Sequence, residues 1–473
     1  MKIVTPDEMK KMDLRAVEEG LFTSLRLMQN AAEALYKEVT ALMEKQGHDR
    51  VLLLAGPGNN GGDAYALACL LYPDYQPALL AVGGEERSPD CKYYYNKCKE
   101  LGIPFVTETE GYPLVVDGIF GTGFHGELSK EVKELLSRIA APVVAIDIPS
   151  GMDGMSGVCS AGTLKPVKTV TFAFYKPCHL LADCGEVVLA DIGIPQNYAS
   201  ALTRGTLKPT PAPRDAWGHK NSYGAVGLRV GADQYSGAAA LAILGALKSG
   251  AGLVYAYLPD SVRAAAAAKF YGPVLRGEGE YSGGKFDAFL FGSGVGRNGN
   301  GLRQLHELWC LPCPLVVDGD GLWHLAHMEH AHIRNAVTVL TPHMGEFARL
   351  AGRSVAEVQK NRIAVAEEFA KKYNVILVLK DAATLVTDGC RTEILSAPCS
   401  ALAKGGSGDL LAGLLAGILA GGSDGFAAAK TAVYLHNRAA RLATQSSSPR
   451  ALQPEEIAKF IGEAWMEAED GVF

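Results

Sequence analysis

The chain has 473 residues, 48% hydrophobic and 20% charged, which is ordinary composition for a protein with more than one buried core. Its formal net charge of −6 gives no general attraction to nucleic acid or to anionic lipid. No signal-peptide core opens the sequence, and the longest apolar stretch, Leu410 to Gly422, is too short and too rich in glycine and alanine to span a bilayer, so a cytoplasmic protein is expected.

Thr5-Pro6-Asp7-Glu8 has the cap, proline and acid of a helix start in their usual order. A second helix begins near Ser24 and places Met28, Ala31, Ala32, Leu35, Tyr36 and Val39 on one face. Val51 to Ala55 is a buried-strand pattern that runs into Gly56-Pro57-Gly58-Asn59-Asn60-Gly61-Gly62-Asp63, with helix expected from Ala64. Strand, glycine loop and helix together make an anion cradle. Two later strands end in oxygen donors, one at Asp117 before Gly121-Thr122-Gly123, the other at Asp147 before Ser150-Gly151. Polar groups at the carboxyl ends of neighbouring parallel strands converge, so Asn60, Asp117, Asp147 and Ser150 are expected to meet. A helix over Ser129 to Arg138 and strands over 167–174 and 186–190 complete a doubly wound sheet.

From Gln196 to Trp217 the chain turns polar and proline-rich, and it divides into residues 1–200, a linker at 201–216, and residues 217–473. A second alternating series follows, with a strand over Ala225 to Val230 and a helix over Ser236 to Lys248. The fold class is therefore α/β in two domains. Ten scattered cysteines suit small buried side chains; Cys310 and Cys313 mimic a redox motif, but they precede a strand where that chemistry needs a strand-to-helix turn. His324, His327, His330 and His332 read as an exposed helix face, since no acid or cysteine completes a metal set.

The most informative stretch is Ala403-Lys404-Gly405-Gly406-Ser407-Gly408-Asp409, followed by an apolar helix. Its glycines admit an anion close to the backbone, and the first helical turn offers N–H groups to a phosphate. A carboxylate is a poor phosphate ligand. Asp409 makes chemical sense there as a base that takes a proton from a hydroxyl meeting the phosphoryl group.

This motif resembles the anion hole and catalytic base of the ribokinase-like superfamily, and within it the NAD(P)H-hydrate dehydratases. Thr341-Pro342-His343-Met344-Gly345-Glu346 and Phe291-Gly292-Ser293-Gly294-Val295-Gly296 resemble further signatures of that branch. The likeness implies nucleotide binding by Lys380, Asp381, Ala382, Ala383, Thr384, Gly405, Gly406, Ser407 and Gly408. It implies that the hydrate lies near Ala238, Gly294, His343 and Asp409. ADP or ATP is the implied co-substrate, giving AMP and phosphate from ADP, with Mg2+ screening the phosphates. The amino-terminal half resembles the NAD(P)H-hydrate epimerase domain, a Rossmann-like sheet. Here the likeness implies K+ on Asn60, Asp117 and Ser150, and Asp147 as proton-transfer group at the nicotinamide end. It also implies substrate binding by Asn59, Asn60, Gly61, Gly62, Asp63, Gly121, Thr122, Gly123, Phe124, His125, Gly126 and Glu127. One departure is Ala64, where the family has glycine; that position is expected to open the helix.

Two such domains on one chain resemble the fused bifunctional repair family, which implies epimerisation of the R and S hydrates NADHX and NADPHX and dehydration of the S epimer. A homo-oligomer with small-molecule partners and neither nucleic acid nor membrane is expected. The alternative is a small-molecule kinase for a vitamin alcohol with a non-catalytic amino-terminal binding domain; its stable phosphorylated product would distinguish it. An NAD-linked oxidoreductase is excluded for want of a Gly-x-Gly-x-x-Gly turn at the first strand.

Overall fold

Strand β1 (Arg50–Ala55) is buried from its second residue onward, and its side chains alternate between two cores. Val51, Leu53 and Ala55 pack with helices α1 (Pro6–Glu18), α2 (Ser24–Gln46), α3 (Asn59–Leu71) and α4 (Pro89–Glu100), whereas Leu52 and Leu54 pack with helix α5 (Lys130–Ser137) on the other face. Such two-sided burial is what a parallel sheet between helical layers demands. The computed structural model describes residues 2–199, 204–280, 285–328 and 333–471. It divides into two compact units, Met1–Arg204 and Gly205–Phe473.

In the first unit β1 is joined by β2 (Gln76–Ala81), β3 (Val115–Gly118), β4 (Val143–Ile146), β5 (Lys168–Phe172) and β6 (Glu186–Ala190), with the short helix α6 (Cys178–Leu181) before β6. All pairings are parallel and the order is β2-β1-β3-β4-β5-β6. The winding reverses between β1 and β3, which opens a crevice at their carboxyl ends. Thr5 caps α1 as its sequence implies: Glu8 N donates to Thr5 Oγ1 at 3.1 Å, and Glu8 Oε2 accepts from Thr5 N at 2.7 Å.

One expectation is corrected here. Helix α3 opens at Asn59, with Gly58 as N-cap, so Asn59 to Asp63 form its first turns and Ala64 lies inside it. Ala64 is fully buried, and a side chain on Gly118 would meet its Cβ at 2.8 Å, so the methyl fills space beside the neighbouring strand.

The second unit's sheet has the order β10-β9-β8-β11-β12-β13-β14-β15-β16-β7. Its strands are β7 (Arg204–Thr206), β8 (Ala225–Arg229), β9 (Leu253–Leu258), β10 (Val274–Gly277), β11 (Ala288–Phe291), β12 (Leu315–Val317), β13 (Thr338–Leu340), β14 (Ile376–Leu379), β15 (Ala383–Thr387) and β16 (Thr392–Ser396). β10 through β14 run parallel, and β14, β15 and β16 pair antiparallel. Helices α7 (Ser236–Lys248), α8 (Asp260–Lys269), α9 (Gly299–Trp309), α10 (Asp320–Ala326), α11 (Met344–Ala351), α12 (Val355–Lys360), α13 (Arg362–Tyr373), α14 (Ser407–Ala420), α15 (Gly425–Ala443), α16 (Pro454–Ile457) and α17 (Ile461–Glu469) accompany it.

The Ala/Gly-rich run after Asp409 has a packing reason. A side chain on Gly413 would strike the Ala242 carbonyl, and one on Gly245 would strike that of Leu410, so α7 and α14 touch backbone to backbone. Residues 201–203 of the expected linker lie outside the described residues. From 204 on the segment is not free chain: β7 lies at the sheet edge beside β16, Leu207 N donates to Ile394 O at 2.8 Å, and Thr210 N donates to Thr431 Oγ1 at 3.1 Å.

Candidate functional site

In the first unit three of the four expected oxygen donors meet. Ser150 N donates to Asp117 Oδ2 at 2.9 Å and Ser150 Oγ to Asp117 Oδ1 at 2.5 Å, while Phe120 N donates to Ser150 Oγ at 2.9 Å. Asn60 Nδ2 donates to Phe120 O at 2.9 Å, which leaves its carbonyl oxygen beside Gly121. This all-oxygen set suits a hard monovalent cation. Burial raises the Asp117 carboxyl above its ordinary range, as expected for a carboxylate whose partners are neutral.

Asp147 departs from the expectation. It sits at the end of β4 in the left-handed region (φ 61°) and turns to Lys176, whose Nζ donates to Asp147 Oδ1 at 2.7 Å. Thr171 Oγ1 donates to the same oxygen at 2.8 Å. Burial opposes ionisation of Asp147, yet Lys176, together with His179 and the hydrogen bond from Thr171, outweighs it and holds the carboxyl below its ordinary range. Lys176 is 1% exposed. His179 joins them: its Nδ1 accepts from Lys176 N at 3.0 Å, so Nε2 carries the proton donated to Asp147 O at 2.7 Å. Burial and Lys176 push its pKa down to about 4, consistent with a neutral ring.

Lys176 and His179 escaped the sequence reading because neither belongs to a glycine loop or a strand end. Asp13 on α1 escaped too. Burial and the nearby Asp147 push it up to about 6 against the pull of Lys176. Asp63 is driven well above its ordinary value by burial and by Asp147 and Asp13.

The expected phosphate loop is mostly open to solvent at Gly123, His125, Gly126 and Glu127, with Phe124 buried beneath it and Gly121 and Thr122 half-buried. Glu127 is occupied otherwise, accepting from Ser160 Oγ at 2.7 Å and Lys133 Nζ at 3.0 Å. Asn59, at the opening of α3, accepts from Ser88 Oγ at 2.6 Å. Gly61 is held against Gly56, whose carbonyl any side chain would strike, and Gly62 against Met28.

In the second unit the expected anion hole lies at the amino end of α14. Gly406 is its N-cap, left-handed at φ 91° and without a side chain to compete for the first-turn N–H groups, while Gly405 beside it is exposed. Ser407 Oγ contacts His436 Nε2 at 3.2 Å, and burial with Lys380 pushes His436 down to about 4. Asp409, on that first turn, is pushed up to about 7 by burial and the like charge of Asp318, against a hydrogen bond from Ser293 and the charge of Lys380.

Asp318, just past β12, was not singled out from sequence, although the strand-end logic applied to Asp117 would have found it. It accepts from Thr341 Oγ1 at 2.6 Å and from Lys380 Nζ at 2.9 Å. Burial opposes the charge on Lys380, yet Asp318 and Glu346 hold its ammonium above the ordinary range. A side chain on Gly408 would come within 3.0 Å of Lys380 Nζ, so this ammonium and the amino end of α14 are neighbours.

His343 caps α11, its Nδ1 accepting from Gly345 N at 3.0 Å, and bridges to Lys380 through the backbone. Gly294 abuts Ala238, whose Cβ would lie 2.7 Å from any Cβ at Gly294. Asp381 and Ala382 are exposed, Thr384 is half-buried, and Ala383 is buried at the start of β15. The histidine reading is corrected at His324, which is buried with Nε2 on Gly296 O at 2.8 Å; His327 is exposed as expected, its ring centroid 4.0 Å from that of Trp323, and His330 and His332 lie outside the described residues.

A family model described as NAD(P)H-hydrate dehydratase matches residues 226–463, and one described as YjeF-related protein N-terminus matches residues 24–178. The bifunctional NAD(P)H-hydrate repair enzyme of Moorella thermoacetica is 31% identical, the match covering 98% of this chain and 96% of that protein. The chain belongs to the bifunctional NAD(P)H-hydrate repair enzyme family. For this member the second unit is similar to the ADP/ATP-dependent NAD(P)H-hydrate dehydratase of Bacillus subtilis co-crystallised with ATP/Mg2+, at 29% identity and a TM-score of 0.51, covering 55% of this chain and 95% of that one. A ribokinase-like superfamily protein of Enterococcus faecalis, 22% identical with a TM-score of 0.50 over 55% of this chain and 92% of its own, shares the same fold. No described helix is long and apolar enough to cross a membrane.

Proposed function

We propose that the first unit interconverts the R and S hydrates of NADH and NADPH, and that the second dehydrates the S epimer with ADP, giving AMP and phosphate. The observation that carries this reading is Asp409, a carboxylate poised at a pKa of about 7 on the first turn of a helix whose amino end offers phosphate-binding N–H groups. At neutral pH about half of such a group is ionised, which suits a general base. Asp409 takes the hydroxyl proton of the hydrate as that oxygen attacks the terminal phosphorus, and the bond to the bridging oxygen of the nucleotide breaks. The phosphorylated hydroxyl then leaves as phosphate, its C–O bond electrons departing with it while the ring loses a proton and regains its reduced form.

Lys380 and the α14 amino end neutralise charge on the phosphates during transfer. Mg2+, arriving with the nucleotide, supplies further charge screening. In the first unit Asn60, Asp117 and Ser150 would hold K+, and the ionised Asp147 would move the proton at the hydroxylated end of the substrate, with Lys176 fixing its charge. Incubating the S hydrate with the full-length protein and ADP or ATP, and following the reduced nicotinamide absorbance, tests the reading. Recovery of absorbance with stoichiometric AMP from ADP is expected; a stable phosphorylated product without that recovery would overturn it.

A further inference from the structure

Arg362 opens α13 and is 8% exposed, yet among its nitrogens Nε and Nη1 are buried without a hydrogen-bond partner. Among the described residues its guanidinium makes one ion pair, Nη2 to Asp381 Oδ2 at 2.8 Å. A buried guanidinium with unmet donors is a costly way to fill space, and an apolar side chain would pack there more cheaply. Its presence there therefore points to the ion pair it does make.

That contact lies on the loop between β14 and β15. The loop is pinned at its start, where Lys380 N donates to Pro342 O at 2.9 Å and Lys380 Nζ reaches Asp318. Past that point Asp381 and Ala382 are exposed, and Asp381 Oδ1 accepts from Ala382 N at 2.9 Å. One carboxylate thus ties the turn of the loop on one oxygen and the body of the unit on the other.

We propose that Arg362 is a positioning residue for nucleotide binding, acting through Asp381 to fix the turn of the 380–382 loop. Resting on the nucleotide site proposed above, the inference needs no contact between Arg362 and the nucleotide. An untethered loop would have to be ordered when the nucleotide arrives, and that cost falls on affinity.

The test is calorimetric titration of the full-length protein with Mg2+ and ADP, alongside steady-state kinetics. Arg362→Gln and Asp381→Asn should each weaken ADP binding about tenfold and raise its KM while leaving kcat within a factor of about two. The double variant should be no weaker than either single one, because both remove the same link. Arg362→Lys, which keeps one donor for the single contact observed, should recover most of the affinity, whereas a merely structural arginine would show no such rescue. Epimerisation should be unchanged in all of them. If Arg362→Gln does not fold, Arg362→Met, which fills the same space without buried donors, takes its place in the single and double variants. Unchanged ADP affinity in Asp381→Asn, or losses that add in the double variant, would overturn the proposal. Failure of the wild-type protein to bind ADP would instead remove the nucleotide site itself, and the inference with it.

Discussion

At the scale of single residues, the charges around Asp409 and Asp147 do opposite things to two carboxylates. Asp409 is pushed towards neutrality, whereas Lys176 keeps Asp147 ionised. Asp409→Asn keeps the shape but cannot accept a proton, so ADP-dependent turnover should fall by roughly 100 to 10,000-fold with nucleotide affinity nearly unchanged. As the proposed base, Asp409 would act only when ionised, so dehydration should fail as pH drops below about 7. In Asp318→Asn the like charge is gone, so the acid limb of that profile should move to lower pH; a limb that stays in place would mean another group sets it. Lys176→Met leaves Asp147 buried without its cation and should cost about 3 to 5 kcal/mol in urea unfolding. The sign follows from the depressed folded-state pKa of Asp147. Its stabilisation is present above the unfolded-state carboxylate pKa and disappears as pH falls through the folded value, so wild type and variant should converge in acid.

At the scale of elements, periodicity made the long pieces legible. The helix expected at Ser236 to Lys248 is α7, and the buried run from Val51 to Ala55 is the heart of β1. Glycine-rich connections were less so: Asn59 to Asp63 looked like loop and are helix, because a glycine N-cap carries no side-chain signature that marks the boundary. The three residues of β7 carry too little pattern to be seen at all. The meeting of Asn60, Asp117 and Ser150 was legible from their motif loops, but Lys176, His179 and Asp13 were not, since only the fold brings them to Asp147. The contact of α7 with α14 is a further test. Gly413→Ala would force the helices apart and should destabilise the second unit by about 1 to 3 kcal/mol, measured by denaturation. It should also weaken hydrate and nucleotide binding together, since Ala238 rides on α7 and Gly408 on α14.

At the scale of the whole molecule, each unit has its own sheet and its own hydrophobic clusters. A ligand that binds one folded unit should stabilise that unit. ADP at about 100 times its Kd should raise the unfolding free energy of the second by about 2.7 kcal/mol and leave the first unmoved, which separate probes of the two transitions would register. The position of β7 decides where the polypeptide can be divided. A dehydratase fragment started at residue 217, where the composition invites the cut, would strip β16 of its neighbour and bare a row of backbone donors and acceptors. Such a fragment should self-associate by strand addition, seen as a concentration-dependent rise in light scattering, while one that retains residues 204–216 should stay dispersed. The joint between two activities is thus also the hem of one sheet, and separating them cleanly means cutting at the boundary beside Arg204, where β7 begins.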